Sequence, residues 1–146
     1  MAAGPLTLYQ HVSESLADGS LDLDSDTLKV ALFTSSYTPD AATQEDFSAL
    51  TGQVANGNGY TSGGATLTNV TLTRTGGVAK LDADDVVWTA SGGNIVARYA
   101  VIYSEEANKA IGYFLLDSTP ADVTVTDGNT LTIAWHASNG ILTITV

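Results

Sequence analysis

The chain has 146 residues, no cysteine, and 16 acidic against 5 basic side chains, for a net charge of −11. A domain of this length buries enough surface to fold without staples, and the lack of cysteine excludes disulfides, Cys-ligated zinc and thiol catalysis together. The charge excludes a basic footprint for nucleic acid and disfavours an anionic membrane surface.

The start, Met1-Ala-Ala-Gly-Pro-Leu6, has neither a basic run nor a sustained apolar one, which predicts no secretory signal. Leu8, Val12 and Leu16 then form one apolar stripe at helical spacing, with Tyr9 beside it. Thr7 and Gln10 have capping-box spacing and Gly19 suits a left-handed stop, so a helix is predicted over 8–18. From Thr27 the period changes to two: Leu28, Val30 and Leu32 alternate with Lys29, Ala31 and Phe33, a strand with one face well buried. A turn at 37–40 follows, and 43–50 reads as a short helical turn capped by Thr43. Residues 51–64 hold five glycines and two asparagines, a loop composition.

Beyond it the pattern predicts strands over 65–74, 78–82, 86–89, 95–103, 110–116, 123–126, 130–135 and 141–146. The Ala110-Ile-Gly-Tyr-Phe-Leu-Leu116 run is the most apolar, far below the ~20 residues that cross a bilayer. Asp127-Gly128 and Asn139-Gly140 are the strongest hairpin signals, since both dipeptides accept positive φ. The expected fold is mainly β, an antiparallel β-sandwich or partly open barrel with a short N-terminal helix. It forms one soluble domain, 1–146, with the helix in 1–19 and the β core in 20–146.

Few residues invite chemistry. Asp22, Asp24 and Asp26 alternate like the start of a calcium loop, but Thr27 stands where the sharp-turn glycine belongs and Phe33 where the bidentate Glu belongs. A polar turn with Leu21 and Leu23 pointing inward is expected instead, and no metal site. Asp82, Asp84 and Asp85 suggest a glycosidase pair only if burial raises one pKa, and a three-carboxylate turn does not imply that. His11 and His136, the only histidines, lack a nucleophile motif or a third zinc ligand. The 56–64 stretch lacks the Gly-Lys-Ser/Thr ending of a phosphate loop. Trp88, Trp135, Tyr99, Tyr103 and Tyr113 fit a sugar platform less well than core packing. The residues predict no enzyme and no cofactor.

Several segments resemble a widespread group of small tailed-bacteriophage virion proteins. They are Asp24-Ser-Asp-Thr-Leu-Lys-Val-Ala-Leu-Phe-Thr-Ser-Ser-Tyr-Thr-Pro-Asp40, Gly59-Tyr-Thr-Ser-Gly-Gly64, Leu81-Asp-Ala-Asp-Asp-Val-Val-Trp88 and Ala97-Arg-Tyr-Ala-Val-Ile-Tyr103, with the 130–135 strand and Gly140-Ile-Leu-Thr143. The resemblance implies a non-enzymatic capsid cement, or decoration, protein. Such a protein is made in the host cytoplasm and binds the major capsid protein on the outside of the virion's shell. It also implies a homo-oligomer, a trimer, with no nucleic-acid or membrane partner. Leu6, Leu8, Tyr9 and Val12 are the candidate contacts to shell or sister subunit, because an amphipathic helix at a chain end needs a cover for its apolar face; the segment is either such a docking arm or a helix that caps its own barrel or sandwich. The alternative is a tail-associated Ig-like module contacting host-surface glycans, favoured by exposed aromatics around 59–64.

Overall fold

Five of the six residues of β2 (Leu28–Phe33) are buried, and this strand lies inside the principal sheet. The structure, a computed structural model, describes residues 3–146. Strand outweighs helix, 40% to 7% of the chain, which makes the fold mainly β. β2 pairs antiparallel with β8 (Tyr99–Ser104), which pairs with β9 (Lys109–Leu115); β1 (Thr7–Leu8) and β3 (Ala65–Thr66) close the two edges.

Register sorts the buried side chains of this sheet onto two faces. Phe33, Tyr99, Val101, Tyr103 and Tyr113 share one face through the β2–β8–β9 pairings. It is aromatic, and it is covered by the preceding loops: Tyr9 packs on Tyr113, Tyr37 on Phe33 and Tyr99, and Phe47 stacks flat on Tyr103 at 3.5 Å between ring centroids. The other face carries Val30, Leu32, Ala100, Ile102 and Phe114. These share one continuous core with Trp88, Ile95, Leu131 and Ile133 of the opposing ribbon.

That ribbon is two short ladders end to end. β6 (Val86–Thr89) pairs with β11 (Thr130–Ile133), and β7 (Ile95–Ala97) pairs with β10 (Val123–Val125), both antiparallel. Between them the chain leaves the ladder, and Ala90, Gly128 and Asn129 stitch the gap with backbone bonds of 2.8–2.9 Å. Asp127-Gly128 therefore turns the chain within a broken ribbon instead of closing a hairpin between paired neighbours. Asn139-Gly140 does close a tight turn, in which His136 and Gly140 exchange backbone bonds of 3.3 and 2.7 Å; beyond it β12 (Leu142–Thr145) leaves the ribbon and pairs with β5 (Val78–Asp82), beside β4 (Thr71–Thr75).

Four expected elements are divided, moved or shortened. The 43–50 turn is reduced to a single 3-10 turn over Phe47–Ala49, which starts after Asp46 and is not capped by Thr43. The 95–103 strand breaks at Arg98, whose N–H bonds to Phe33 and whose carbonyl bonds to Leu116, where the chain passes from ribbon to sheet. The 65–74 strand breaks before Thr71, with Asn69 at φ 51°. The helix, α1, spans Val12–Asp18 and not 8–18. Thr7 and Leu8 lie extended because the edge of β9 offers them ladder bonds, continued by Tyr9 N–H to the Ile111 carbonyl at 3.1 Å. A short helix is marginal alone, so edge pairing outweighs a further helical turn. Gly19 ends the helix at φ 80°, as its position predicted.

Candidate functional site

The N-terminal segment is fastened along the sheet edge, not held away as an arm. Gly4 N–H bonds to the Leu115 carbonyl at 2.8 Å, and Leu6 lies over Gly112, where a Cβ would stand 2.9 Å from its Cδ1. Among the four candidate contacts, Tyr9 and Val12 are buried, 1% and 4% exposed, so they have no surface to give a partner. Leu6 is half-buried and Leu8 exposed. The apolar face of α1 is covered by its own domain, as in the reading of the helix as a cap.

Beside this segment lies an apolar cleft of about 460 Å³, bounded by Gly4, Pro5, Leu6, Phe114, Trp135 and Ile141. Trp135 is fixed at both ends. Its backbone N–H donates to Asp85 Oδ1 at 3.1 Å, its indole N–H donates to the Asp84 carbonyl at 3.0 Å, and its ring meets Phe114 edge-on. Next to it, His136 Nδ1 accepts the backbone N–H groups of Ser138 and Asn139, which closes the tight turn into β12.

The acidic clusters hold the fold. Asp22 accepts from Asp24 N–H, Ser25 N–H and Ser25 Oγ, and Asp26 accepts from Ser104 Oγ at 2.7 Å; Leu21 and Leu23 are buried, as the turn reading expects. Asp84 binds Thr68 and Asn69, Asp85 binds Trp135, and Asp82 pairs with Lys80. Hydrogen bonds from serine, threonine and backbone groups hold the carboxyls of Asp22, Asp40, Asp117 and Glu106 below the usual range. His11 donates from Nε2 to the Ala110 carbonyl at 2.7 Å, and its Nδ1 meets Ser15 Oγ at 3.0 Å.

The glycine-rich loop is pressed onto the core instead of cradling a ligand. A Cβ at Gly59 would lie 2.0 Å from the Thr89 carbonyl oxygen, and one at Gly64 1.9 Å from that of Val30, both at positive φ. Tyr60 between them is buried; its hydroxyl accepts the Leu32 N–H and the Gln53 amide. No ring around 59–64 is offered to a sugar.

The chain matches no protein-family model, no curated protein and no solved structure.

Besides Val87 and Val96 on the outer side of the ribbon, two exposed apolar surfaces lie among the described residues. One is the cleft with exposed Leu8 nearby. The other, unnoticed in the sequence, is one face of the β12–β5–β4 sheet, where Leu72 and Ile144 are each more than a third exposed. Its signal was present, because apolar and polar residues alternate through Leu142-Thr143-Ile144-Thr145 to the last residue.

Proposed function

We propose that this chain is a non-enzymatic structural protein of a tailed-phage virion, a capsid cement protein that binds the outside of the shell and stabilises it. The observation that supports it is the cleft between the N-terminal segment and Trp135, a preformed apolar surface on a chain that is otherwise acidic and hydrogen-bonded to itself. Cement needs no reacting group. It needs rigidity and a complementary patch, and it acts by mass action: binding the expanded shell and not its precursor favours the expanded form. The fastening of Trp135 and the paired N-terminal segment give the cleft fixed walls, which lowers the entropy cost of docking.

In this reading Leu6 and Leu8 retain the role of shell contacts, while Tyr9 and Val12 act from below by holding the segment in place. Copies meet in a cyclic homo-oligomer, a trimer by resemblance.

The second reading is a tail-associated Ig-like module that contacts host glycans, and Trp135 beside exposed His136 at the cleft rim favours it. Co-sedimentation with expanded, empty heads separates the two. The cement reading predicts saturable binding to heads, weakened by Leu8→Asp without a change in melting. Binding to tails and never to heads would overturn it.

A further inference from the structure

The β12–β5–β4 sheet is amphipathic beyond the point where its own chain covers it. Register puts Leu72, Leu81 and Leu142 in one cross-strand row and Arg74, Ala79 and Ile144 in the next, all on one face. Thr73, Lys80 and Thr143 alternate onto the other. The first row is anchored in the core, with Leu81 at 0% and Leu142 at 7% exposure. The second row is open: Arg74 is exposed, Ala79 half-buried and Ile144 39% exposed. An apolar alternation of period two specifies a buried face, and here the pattern outlasts the core.

Charge identifies the kind of surface that covers it. Of the five cations, Lys29 pairs with Glu105, Lys80 with Asp82, Arg98 with Asp122, and Lys109 with Glu45 and Asp46. Among the described residues Arg74 alone has no carboxylate; its Nη1 donates to the Gly76 carbonyl at 2.7 Å within its own hairpin. A guanidinium set in an exposed apolar row fits a surface that brings carboxylates to an apolar centre. The chain offers that chemistry itself. It carries 16 acidic residues, and among them Glu14 and Asp24 are exposed with side chains engaged in no hydrogen bond or ion pair among the described residues.

We propose that the face formed by Leu72, Arg74, Ala79 and Ile144 binds a second copy of this chain, with Arg74 set against that copy's carboxylates. One surface meeting a different surface on the next copy is a heterologous contact, which closes into a ring when the rotation permits. The face thus supplies the contact between copies that the cement reading calls for and rests on that reading only for its purpose. Self-association is measured without any shell, so its failure is distinct from a failure to bind heads.

Sedimentation velocity of the full chain over a range of concentrations, at low and high salt, tests it. The expected result is a reversible oligomer, favoured at moderate salt where the repulsion between copies of net charge −11 is screened. Ile144→Asp and Arg74→Glu each weaken association by about tenfold or more with the melting temperature unchanged, since a lost hot spot exceeds about 1.4 kcal/mol. Leu72→Ser replaces Ile144→Asp if the latter lowers the melting temperature. Val87→Asp, on the exposed side of the ribbon, leaves association intact. A chain that stays monomeric at every concentration, variants that assemble like the unmodified chain, or a Val87→Asp variant that dissociates equally would each overturn the proposal.

Discussion

The hydroxyls of Tyr9 and Tyr37 share a hydrogen bond across 28 positions of sequence, and this bond ties the N-terminal segment to the loop that follows β2. Its direction can be assigned. Tyr37 donates onward to Gln44 Oε1 at 2.7 Å, so its oxygen is left to accept from Tyr9. Burial, with this donated bond, pushes the Tyr9 hydroxyl well above the ordinary tyrosine range. The two phenylalanine variants are therefore unequal. Tyr9→Phe removes a donor and leaves Tyr37 still bonded to Gln44, at about 1 kcal/mol. Tyr37→Phe strands the buried Tyr9 O–H and costs about 1–3 kcal/mol. Urea denaturation of both variants checks the order, and equal losses would contradict the assigned direction.

Stability should fall at both ends of the pH scale for different reasons. Asp22, Asp40, Asp117 and Glu106 have folded-state pKa values below their unfolded ones, so their stabilisation is present above roughly pH 4 and lost as pH falls through the folded values. Tyr9, Tyr37, Tyr60 and Tyr103 are shifted upward, mainly by burial, Tyr103 to about 12. Their stabilisation is present below about pH 10 and lost as pH rises through the folded values. Melting temperature against pH should thus decline on both flanks, and on the alkaline side tyrosinate absorbance should appear together with unfolding. Tyrosinate absorbance from all six tyrosines in a chain that is still folded would contradict the buried aromatic layer.

The N-terminal segment is part of the fold, so its removal should be costly. Deleting residues 1–18 takes away buried Tyr9 and Val12 and strips the edge of β9. Each large buried side chain represents roughly 1.5–3 kcal/mol of burial, a large share of a small domain's net stability. The truncated chain should unfold, or melt far below the full chain. Gly112→Ala is the milder probe, because its Cβ would meet Leu6 and the Thr7 carbonyl oxygen at 2.9 and 3.0 Å. It should cost about 1–3 kcal/mol by displacing the segment. A truncated chain that melts like the full one would restore the arm reading.

Element type was legible in the sequence where a local pattern was also the tertiary outcome. The strand carrying Leu28, Val30 and Leu32, the inward Leu21 and Leu23, and the Gly19 stop appear as read, except that Ala31 and Phe33 are buried as well, so this strand is covered on both faces and not on one. Partner choice was not legible. Thr7 and Leu8 obey the edge of β9, more than 100 positions away, which no local stripe records. The breaks at Arg98 and before Thr71, and the sheets that Asp127-Gly128 and Asn139-Gly140 join, depend on which strand lies opposite. The candidate site fared similarly. Leu6 and Leu8 are accessible, whereas Tyr9 and Val12 are consumed by the core, because a stripe shows that a face is buried without showing by what.

Quantitative mass spectrometry of purified virions tests the central claim most directly. A cement protein should be present at a copy number comparable to the major capsid protein, and antibody against it should label intact heads. A handful of copies per particle with label confined to the tail, or no copies at all, would contradict the account.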